Sequence, residues 1–265
     1  MPSSILLFIP AYNCAPQIGR TLAQIDARTA KLIDEVIVID NRSTDATVAA
    51  ARAAAARLDW GPVRILRNRE NYGLGGSHKV AFAWALERAH SHLAVLHGDD
   101  QGRIADLLPL IQAGAHESHD CLLGARFAAG ARLVGYAPTR ILANRAFDLL
   151  FSLACGRRLY DLGAGLNLYR TAILGDRFYA RFPDDLTFNY CMMLAHAHLG
   201  HRFRFFPIEW REEDQVSNVR ALRQAARMLA LLAGYVAGPD RFLAAEHRAV
   251  ARASYPFDEV TDSGR

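Results

Sequence analysis

Short apolar runs alternate with amphipathic stretches over the first half of this chain. Strands are predicted near residues 4–10, 34–40, 62–67, 92–97 and 120–124. Helices are predicted near residues 15–29, 45–58, 75–90 and 104–115. The run from Val36 to Ile39 has no polar alternation, which is typical of a strand buried on both faces of a parallel sheet. Alternation of this kind predicts a doubly wound α/β sheet with right-handed crossovers.

Beyond residue 125 the alternation gives way to longer helices. Helices are predicted at 139–155, 185–199 and 219–237, and strands at 166–170 and 202–208. The tail after residue 250 has no periodic pattern and is expected to be loose. The chain has no internal repeat and no low-complexity linker, which favours one large domain over two small ones.

The composition bounds the class of protein. A chain of 265 residues with 51% hydrophobic and 22% charged residues can bury a substantial core, which excludes a disordered chain. The net charge is +4, and the basic residues are scattered along the chain. A small positive net charge of this kind fits a protein that binds an anionic ligand or an acidic membrane surface, and it fits an ordinary arginine-rich protein equally well. Because the basic residues are not clustered, the charge argues against a nucleic-acid-binding protein.

Cysteine usage and the apolar runs bear on location. The four cysteines are far apart and form no CxxC pair, which excludes a zinc site or a disulfide framework: Cys14, Cys121, Cys155 and Cys191. The first apolar run has no basic segment before it and is broken by Pro10, so it is predicted to be a core strand and not a signal peptide. No apolar run reaches the roughly 18–20 residues that span a bilayer. A cytoplasmic protein is expected, with peripheral attachment to the inner membrane face as a further option.

Three apolar strands end in polar loops, at Pro10–Asn13, Asp40–Asp45 and His97–Asp100. Ligands of parallel sheets lie just past the carboxyl ends of the strands, so these loops are the candidate site. Adjacent carboxylates at Asp99 and Asp100 repel each other unless a cation lies nearby. A Mg²⁺ ion that also binds a diphosphate fits this pair, and so does a helix N-cap. His97 fits a metal ligand, a phosphate donor or a core histidine.

Three further segments carry candidate chemistry. The glycine-rich stretch Asn71–Lys79 fits a phosphate-binding loop or a simple helix start. Asp184 and Asp185 precede a predicted helix, where a carboxylate could act as general base for a hydroxyl, although N-capping is favoured locally. Arg211 follows an apolar strand and fits either a phosphate contact or a solvated loop. The absence of a GxSxG elbow excludes serine-nucleophile chemistry of that type.

The last predicted helix, 219–237, has a basic start and an apolar end. This pattern is typical of an interfacial helix, but a core helix or a dimer contact is favoured.

Seven segments in this order resemble family 2 glycosyltransferases of the GT-A fold, and in style the dolichyl-phosphate mannosyltransferase and polyprenyl-phosphate glycosyltransferase branch. They are Ile9–Asn13, Val38–Asp45, Asn71–Gly76, Leu96–Gln101, Gly124–Phe127, Asp161–Arg170 and Pro207–Arg211. The resemblance implies a Rossmann-like, mixed, mainly parallel central sheet flanked by helices, with a C-terminal helical extension. It places the GT-A domain at 1–218. A helix and tail at 219–265 would be suited to a membrane-surface or homodimer contact.

The resemblance also implies roles for individual residues. The residues that would hold the nucleotide sugar are Pro10, Ala11, Tyr12, Asn13, Asp40, Asn41, Ser43, Gly75 and Asp99. A Mg²⁺ or Mn²⁺ ion would be held by Asp99, with Asp100 and His97 as further ligands. The acceptor or its phosphate would be faced by Arg126, Arg211 and Ser217. Arg211 and Asp185 are the catalytic candidates, Asp185 for a hydroxyl acceptor.

The implied reaction is inverting transfer of a hexose-type sugar from a nucleoside diphosphate to polyprenyl phosphate, as in polysaccharide biosynthesis. A glycan or other hydroxyl acceptor is the alternative, and a sugar-nucleotide-binding protein without turnover is the alternative from another class. A nucleotidyltransferase would need a GxG-x-RxxP loop with a lysine, which residues 8–20 lack. Two departures bear on the reaction. His97 stands where the family's metal motif has its first Asp, and residues 211–218 lack the lysine of the family's R-x-x-G-x-SK segment.

Overall fold

A computed structural model describes residues 3–58, 61, 63–214 and 221–260. The strands are β1 Ile5–Ala11, β2 Glu35–Asp40, β3 Val63–Asn68, β4 His92–Leu96, β5 Cys121–Ala125, β6 Arg132–Val134, β7 Leu166–Arg170, β8 Phe203–Pro207, β9 Glu209–Arg211 and β10 Phe257–Glu259. The helices are α1 Ala15–Ala23, α2 Thr47–Ala55, α3 Gly73–Glu87, α4 Leu108–Gln112, α5 Ala115–Ser118, α6 Pro138–Cys155, α7 Phe188–His198, α8 Ala221–Ala237 and α9 Pro239–Ala244. Short 3₁₀ turns occur at Thr29–Lys31, Ile104–Asp106 and Thr171–Leu174.

Eight strands form the central sheet, in the order β10-β3-β2-β1-β4-β7-β5-β8. The neighbours β3, β2, β1 and β4 run parallel, as do β5 and β8, whereas β7 runs antiparallel to both β4 and β5. The predicted mixed, mainly parallel sheet is therefore confirmed. A separate two-stranded sheet pairs β6 with β9.

Both faces of the sheet are covered by apolar side chains. One layer holds the inward sides of α3, α6, α7 and α8, with Phe82, Phe151 and Phe188 almost fully buried. The other layer holds α1 and α4 against the opposite face, with Ile18 and Leu22 buried. Burial on both faces is the physical reason why β1, β2 and β4 are continuous apolar runs.

Two predicted helices are shorter than the hydrophobic pattern suggested. The helix predicted over 15–29 ends at Ala23, because the Asp26 carboxylate accepts the backbone N–H groups of Arg28 and Thr29 and turns the chain. The helix predicted over 104–115 is divided into a 3₁₀ turn, α4 and α5. Pro109, in the first turn of α4, has no N–H to continue the hydrogen bonding of the preceding 3₁₀ turn, and Gly114 adopts a left-handed φ of +70° between α4 and α5.

The prediction of a loose tail is wrong for the described part of that segment. Phe257–Glu259 form β10, which pairs antiparallel with Leu66–Asn68 at the edge of the sheet. Arg69 donates two hydrogen bonds to Asp258 in support of this pairing. A three-residue strand is too short to produce a readable alternation, which explains why the pattern missed it.

Candidate active site

The strand register brings the predicted polar loops to one edge of the sheet. Asp40 lies beside Ala11 across the β2–β1 pair, and the Gly98 N–H donates to the Pro10 carbonyl at 3.0 Å. Asp40 and Asp99 therefore flank the end of the same strand, about 10 Å apart as two strand spacings. The exposed ring of Tyr12 lies at the same edge. The convergence expected from the sequence is present.

The carboxylate of Asp99 is held next to the β4 end by a backbone contact. Its Oδ1 accepts the N–H of Gln101 at 3.3 Å. Burial and, to a smaller degree, the neighbouring carboxylate of Asp100 raise the pKa of Asp99 to about 6, against the opposing effect of the hydrogen bond from Gln101. A carboxylate in this condition gains from a nearby cation.

The three residues predicted as metal ligands are not gathered into one set. Within the described ranges, no three His, Cys, Asp or Glu side chains form a group that could hold a metal ion. Asp100 has a left-handed φ of +59° and accepts hydrogen bonds from Arg20 and Gln24, both at 2.8 Å. The observed partners of this side chain are thus two residues of the α1 segment.

The ring of His97 packs against the backbone of Gly165, where a Cβ would approach the ring to 2.6 Å. Its Nε2 is buried and has no hydrogen-bond partner among the described residues. Burial and, to a smaller degree, the charge of Arg126 lower the pKa of His97 to about 4. The imidazole is therefore neutral at pH 7.

Asp40 is fully buried at the end of β2. Its Oδ2 lies 3.3 Å from Nε of Arg67, and its carboxylate accepts the N–H of Ser43. The Ser43 hydroxyl in turn accepts the N–H of Asn13 at 2.9 Å. These contacts tie the loops after β1 and β2 together, so that Tyr12 and Asp40 border the same space.

Asn41 connects this edge to the glycine-rich loop. Its Oδ1 accepts the N–H of Tyr72 at 2.8 Å, and its Nδ2 donates to Oδ1 of Asn71 at 2.8 Å. Asn68 also donates to Asn41. The Asn41 amide is therefore engaged in holding the loop, and any role toward a nucleotide sugar stays a prediction.

The glycines of this loop allow close approach of a second backbone segment. A Cβ on Gly73 would lie 2.4 Å from the Asp184 carbonyl oxygen, and one on Gly75 would lie 2.4 Å from the Pro183 carbonyl oxygen. The Gly76 N–H donates to the Asp184 carbonyl. This contact accounts for the glycines without a phosphate, so phosphate binding at Gly75 also remains a prediction.

The carboxylate of Asp185 is engaged on both oxygens. Oδ1 accepts the backbone N–H of Thr187 at 2.8 Å, just before α7, and Oδ2 lies 2.6 Å from Nη2 of Arg227 on α8. The N-capping role that the sequence favoured is therefore not observed: Thr187 is the N-cap of α7, without a side-chain hydrogen bond, and Asp185 makes a turn contact just before it. Asp185 also lines a cleft of ≈ 210 Å³ together with Asn71, Gly73, Asp184, Arg227 and Arg252.

A buried lysine holds the segment before Asp185. The Lys79 side chain is 4% exposed, and its Nζ donates to the Phe182 carbonyl and to Oδ1 of Asp184, both at 2.6 Å. Tyr255 donates to the same carboxylate oxygen at 2.7 Å. Burial lowers the pKa of Lys79, while the Asp184 carboxylate raises it. We refer to Lys79, Asp184 and Tyr255 as the lysine clamp.

Arg126 forms a buried ion pair. Its Nε and Nη2 donate to the two carboxylate oxygens of Asp161 at 2.7 Å each, and its guanidinium lies 5.2 Å from the centre of the Trp210 ring. The Nη1 group faces the Tyr136 hydroxyl at 3.5 Å. Two of its donor groups are thus committed to Asp161, and contact with an acceptor stays a prediction.

Arg211 reaches the loop that carries Asp99. Its N–H donates to the Gln101 carbonyl at 3.0 Å, and its Nε donates to Glu209 at 2.6 Å. A few residues on, Asp214 forms a two-pronged contact with Arg20 of α1. The segment 211–214 therefore contacts both the loop after β4 and helix α1. Ser217, predicted to face the acceptor, lies outside the described residues.

Residues 6–178 match the family model described as Glycosyl transferase family 2. The chain belongs to glycosyl transferase family 2. This glycosyltransferase is 29% identical over 217 residues to the undecaprenyl-phosphate mannosyltransferase of Micrococcus luteus, covering 79% of its own length and 84% of that protein. It is 25% identical over 170 residues to the dodecaprenyl-phosphate galacturonate synthase of Rhizobium johnstonii, covering 63% of its own length and 48% of that protein. The family predicted from the motifs is confirmed.

Solved structures show the same fold. The glycosyltransferase superposes on glucosyl-3-phosphoglycerate synthase from Mycobacterium tuberculosis, in complex with Mn²⁺, uridine diphosphate and phosphoglyceric acid, with a TM-score of 0.62 and 16% identity. The match covers 89% of this chain and 79% of the other. The predicted GT-A fold is thereby confirmed. In the described part of this glycosyltransferase, no helix is long and apolar enough to cross a bilayer.

Sequence reasoning missed the partners of several site residues. Arg67 beside Asp40, Asp161 beside Arg126, and Lys79 with Tyr255 were assigned no role. One signal was available for Lys79, since the chain has only two lysines among its 31 basic residues and this one follows the glycine-rich loop. No local signal pointed to Tyr255, which is 176 residues away.

Asp148→Asn is expected to stabilise the protein, and more so at high pH. Asp148 is 6% exposed, one of its carboxylate oxygens has no described partner, and burial raises its pKa to about 8. The pKa of Asp148 is higher in the folded protein than in the unfolded chain, so the folded protein tolerates the neutral carboxyl but is destabilised when it ionises. The stability of wild type is therefore unaffected by this group below about pH 4 and falls as the pH rises to about 8. Urea unfolding should show a gain of about 2–3 kcal/mol at pH 8 that disappears toward pH 4. A gain independent of pH would contradict the assignment.

Proposed function

We propose that this glycosyltransferase transfers a sugar from a nucleoside-diphosphate sugar to polyprenyl phosphate, with inversion at the anomeric carbon. The observation that carries the proposal is the convergence of Tyr12, Asp40 and Asp99 at one sheet edge. Two polyprenyl-phosphate relatives support the choice of acceptor.

The donor would lie across the ends of β1, β2 and β4. The exposed Tyr12 ring offers a surface for the base, and the Asp40 carboxylate offers an acceptor for the ribose hydroxyls. Asn13 and Ser43 would keep these two groups in place, because their hydrogen bond joins the two loops. Pro10 and Ala11 would form the floor under the nucleotide.

The residues fit a divalent cation that takes most of its ligands from the substrate. Asp99 would hold it, since Mg²⁺ is commonly bound by one or two carboxylates together with substrate phosphates, and this carboxylate lies at the end of β4 beside the loop that follows β1. Bound there, the cation would supply charge stabilisation to the departing diphosphate. Arg211, joined through Gln101 to the same loop, would add a second positive charge.

The acceptor phosphate needs no strong base. One of its anionic oxygens would attack the anomeric carbon as the bond to the nucleoside diphosphate breaks, and inversion follows from attack on the opposite face. Asp161 would keep Arg126 fixed through two hydrogen bonds, so that the remaining Nη1 edge could meet the acceptor.

The direct test is a transfer assay with UDP-, GDP- and dTDP-sugars, Mg²⁺ or Mn²⁺, and undecaprenyl phosphate in detergent. A thermal-shift screen of the same donors would first identify the one that binds. Formation of a lipid-linked sugar with inverted anomeric configuration is the expected result. Release of nucleoside diphosphate at the same rate without the lipid, with no lipid-linked product, would reject polyprenyl phosphate as acceptor.

A hydroxyl acceptor is the second candidate, because Asp185 lines the cleft and could take a proton. Asp185→Asn separates the two. With a phosphate acceptor we expect transfer within about threefold of wild type, since the amide oxygen can still accept the Thr187 N–H and no base is needed. A loss of about 100-fold or more in kcat, in a variant with an unchanged unfolding midpoint, would favour a hydroxyl acceptor with Asp185 as base.

A further inference from the structure

Helix α6 contains one acidic residue, and that residue is buried. Asp148 is 6% exposed, and its Oδ2 atom has no hydrogen-bond partner among the described residues. A carboxyl group that is held in a core without a full set of partners costs stability. The chemistry proposed above gives this group no part.

Asp148 lies close to the ion pair of Arg126 and Asp161. One turn earlier on the same side of α6, Asn144 donates to the Tyr136 hydroxyl at 2.8 Å, and this hydroxyl faces Nη1 of Arg126 at 3.5 Å. Burial is the largest influence on the pKa of Asp148, followed by the charge of Asp161, which raises it, and that of Arg126, which lowers it. The carboxyl group is thus within electrostatic range of the pair. We call Arg126, Asp161 and Asp148 the Arg126 cluster.

The charge of the Arg126 cluster depends on one proton. Arg126 and Asp161 carry opposite charges and are joined by two side-chain hydrogen bonds of 2.7 Å each. Burial and, to a smaller degree, Asp161 raise the pKa of Asp148 to about 8, against the opposing effects of Arg126 and Arg145. The cluster is therefore neutral overall at pH 7, and it gains one negative charge as the pH rises through about 8.

The other titratable and charged groups around the cluster come from three segments. They are Arg145 on α6, Tyr136 in the loop before this helix, and Tyr190 on α7. An arginine side chain stays protonated in proteins. Burial raises the pKa of Tyr190, so its hydroxyl stays neutral. Of these groups, Asp148 is the one that we expect to change its charge between pH 7 and pH 9.

We propose that Asp148 controls the affinity of the Arg126 cluster for the acceptor phosphate through its own protonation state. When Asp148 is neutral, the Nη1 edge of Arg126, whose contact with the Tyr136 hydroxyl is long, can donate to a phosphate oxygen. An ionised Asp148 would compete for the same guanidinium and would repel the phosphate. The inference rests on the proposed function and deepens it, since it names what regulates acceptor binding.

The coupling must work in both directions. If the proton on Asp148 favours the phosphate, a bound phosphate favours the proton to the same degree. Above about pH 8 the protein would therefore take up a proton from the solvent as the acceptor binds. This uptake belongs to the charge of Asp148 and would not arise from a role in packing alone.

Farnesyl phosphate, a short polyprenyl phosphate, tests the proposal by binding without turnover. Calorimetric titration of the full-length protein gives Kd for wild type and for Asp148→Asn, whose amide reproduces a neutral carboxyl group. Wild type should bind about five- to tenfold more weakly at pH 9 than at pH 7, about tenfold being the limit for one proton with a pKa of about 8. Asp148→Asn should change by less than about twofold, because the second ionisation of a phosphate monoester, near pH 6, is already complete.

Proton uptake is measured in the same experiment at pH 9, with two buffers that differ in their ionisation enthalpy. Wild type should take up about 0.5–1 proton more per farnesyl phosphate bound than Asp148→Asn does. Equal uptake by the two proteins would contradict the proposal. So would an equal loss of affinity between pH 7 and pH 9 in both proteins, or no loss in wild type.

Asp240→Asn is the matched control. The Asp240 side chain is 96% exposed on α9 and pairs with His198, which lies eight residues beyond Tyr190, or about 12 Å along α7. The variant removes the same charge away from the Arg126 cluster and should keep the pH dependence of wild type. Circular dichroism and the unfolding midpoint at pH 7 and pH 9 establish that each variant is folded.

Transfer to undecaprenyl phosphate in detergent separates this inference from the proposed function. If the inference is wrong but the function is right, lipid-linked sugar forms, and the KM for undecaprenyl phosphate has the same pH profile in wild type and in Asp148→Asn. If the function is wrong, wild type neither forms lipid-linked product nor binds farnesyl phosphate at either pH, and the inference fails with it.

Discussion

Asp99→Ala is expected to abolish sugar transfer, with a fall in kcat of about 10³-fold or more. Asp99 is the carboxylate at the end of β4, at the same sheet edge as Tyr12 and Asp40. Removing it would leave the charge of the departing diphosphate without the cation that Asp99 is proposed to hold. The measurement is kcat with saturating donor and Mn²⁺, together with Mn²⁺ binding by calorimetry in the presence of nucleoside diphosphate.

The adjacent Asp100 provides the matched control. Its carboxylate accepts hydrogen bonds from Arg20 and Gln24, and asparagine tolerates its left-handed backbone. Asp100→Asn should therefore keep transfer within about fivefold of wild type, because its observed contacts are with Arg20 and Gln24 and the proposal gives the cation to Asp99. Metal-dependent transfer that survives in Asp99→Ala, or that is lost equally in Asp100→Asn, would remove the metal role from Asp99.

Lys79→Met is expected to destabilise the protein by about 3–5 kcal/mol, because it leaves the Asp184 carboxylate without its buried cation. The side chains of Lys79 and Asp184 are 4% and 17% exposed, so solvent replaces little of the lost contact. Urea unfolding measures the loss. The segment Phe182–Asp185 should also loosen, since the lysine amine binds the Phe182 carbonyl as well, and transfer should fall at temperatures where the variant is still folded.

The other lysine of the chain, Lys31, is exposed and serves as control, with an expected change below about 0.5 kcal/mol in Lys31→Met. In the double variant Lys79→Met/Asp184→Leu the unpaired carboxylate is removed, so the loss should be smaller than that of Lys79→Met alone. An unfolding free energy of Lys79→Met within about 1 kcal/mol of wild type would show that the lysine clamp contributes little.

The edge of the sheet could be predicted because its determinants are local. Each strand that ends at the site is an apolar run, and parallel pairing then dictates that Asp40 and Asp99 lie at the same edge. The N-cap predicted at Asp184 or Asp185 is wrong by two to three residues, because the helix begins only after Thr187.

The partners of these residues could not be predicted, because they come from distant segments. Asp100 itself has a left-handed backbone conformation, and this directs its carboxylate toward Arg20. A hydrophobic pattern in the sequence does not reveal such a conformation. The glycine-rich loop looks the same in sequence whether its glycines admit a phosphate or, as here, the carbonyls of Pro183 and Asp184. Tyr255 reaches Lys79 through a tail that forms one three-residue strand in its described part, up to residue 260.

The lysine clamp has a consequence for synthesis on the ribosome. Lys79 is translated 176 residues before Tyr255, an interval of about 10–35 s at 5–20 residues per second. During that time the nascent chain cannot complete the environment that the amine has in the finished protein. The packing of α3 against the segment Phe182–Asp185 is therefore expected to be completed only after Tyr255 has left the ribosomal exit tunnel.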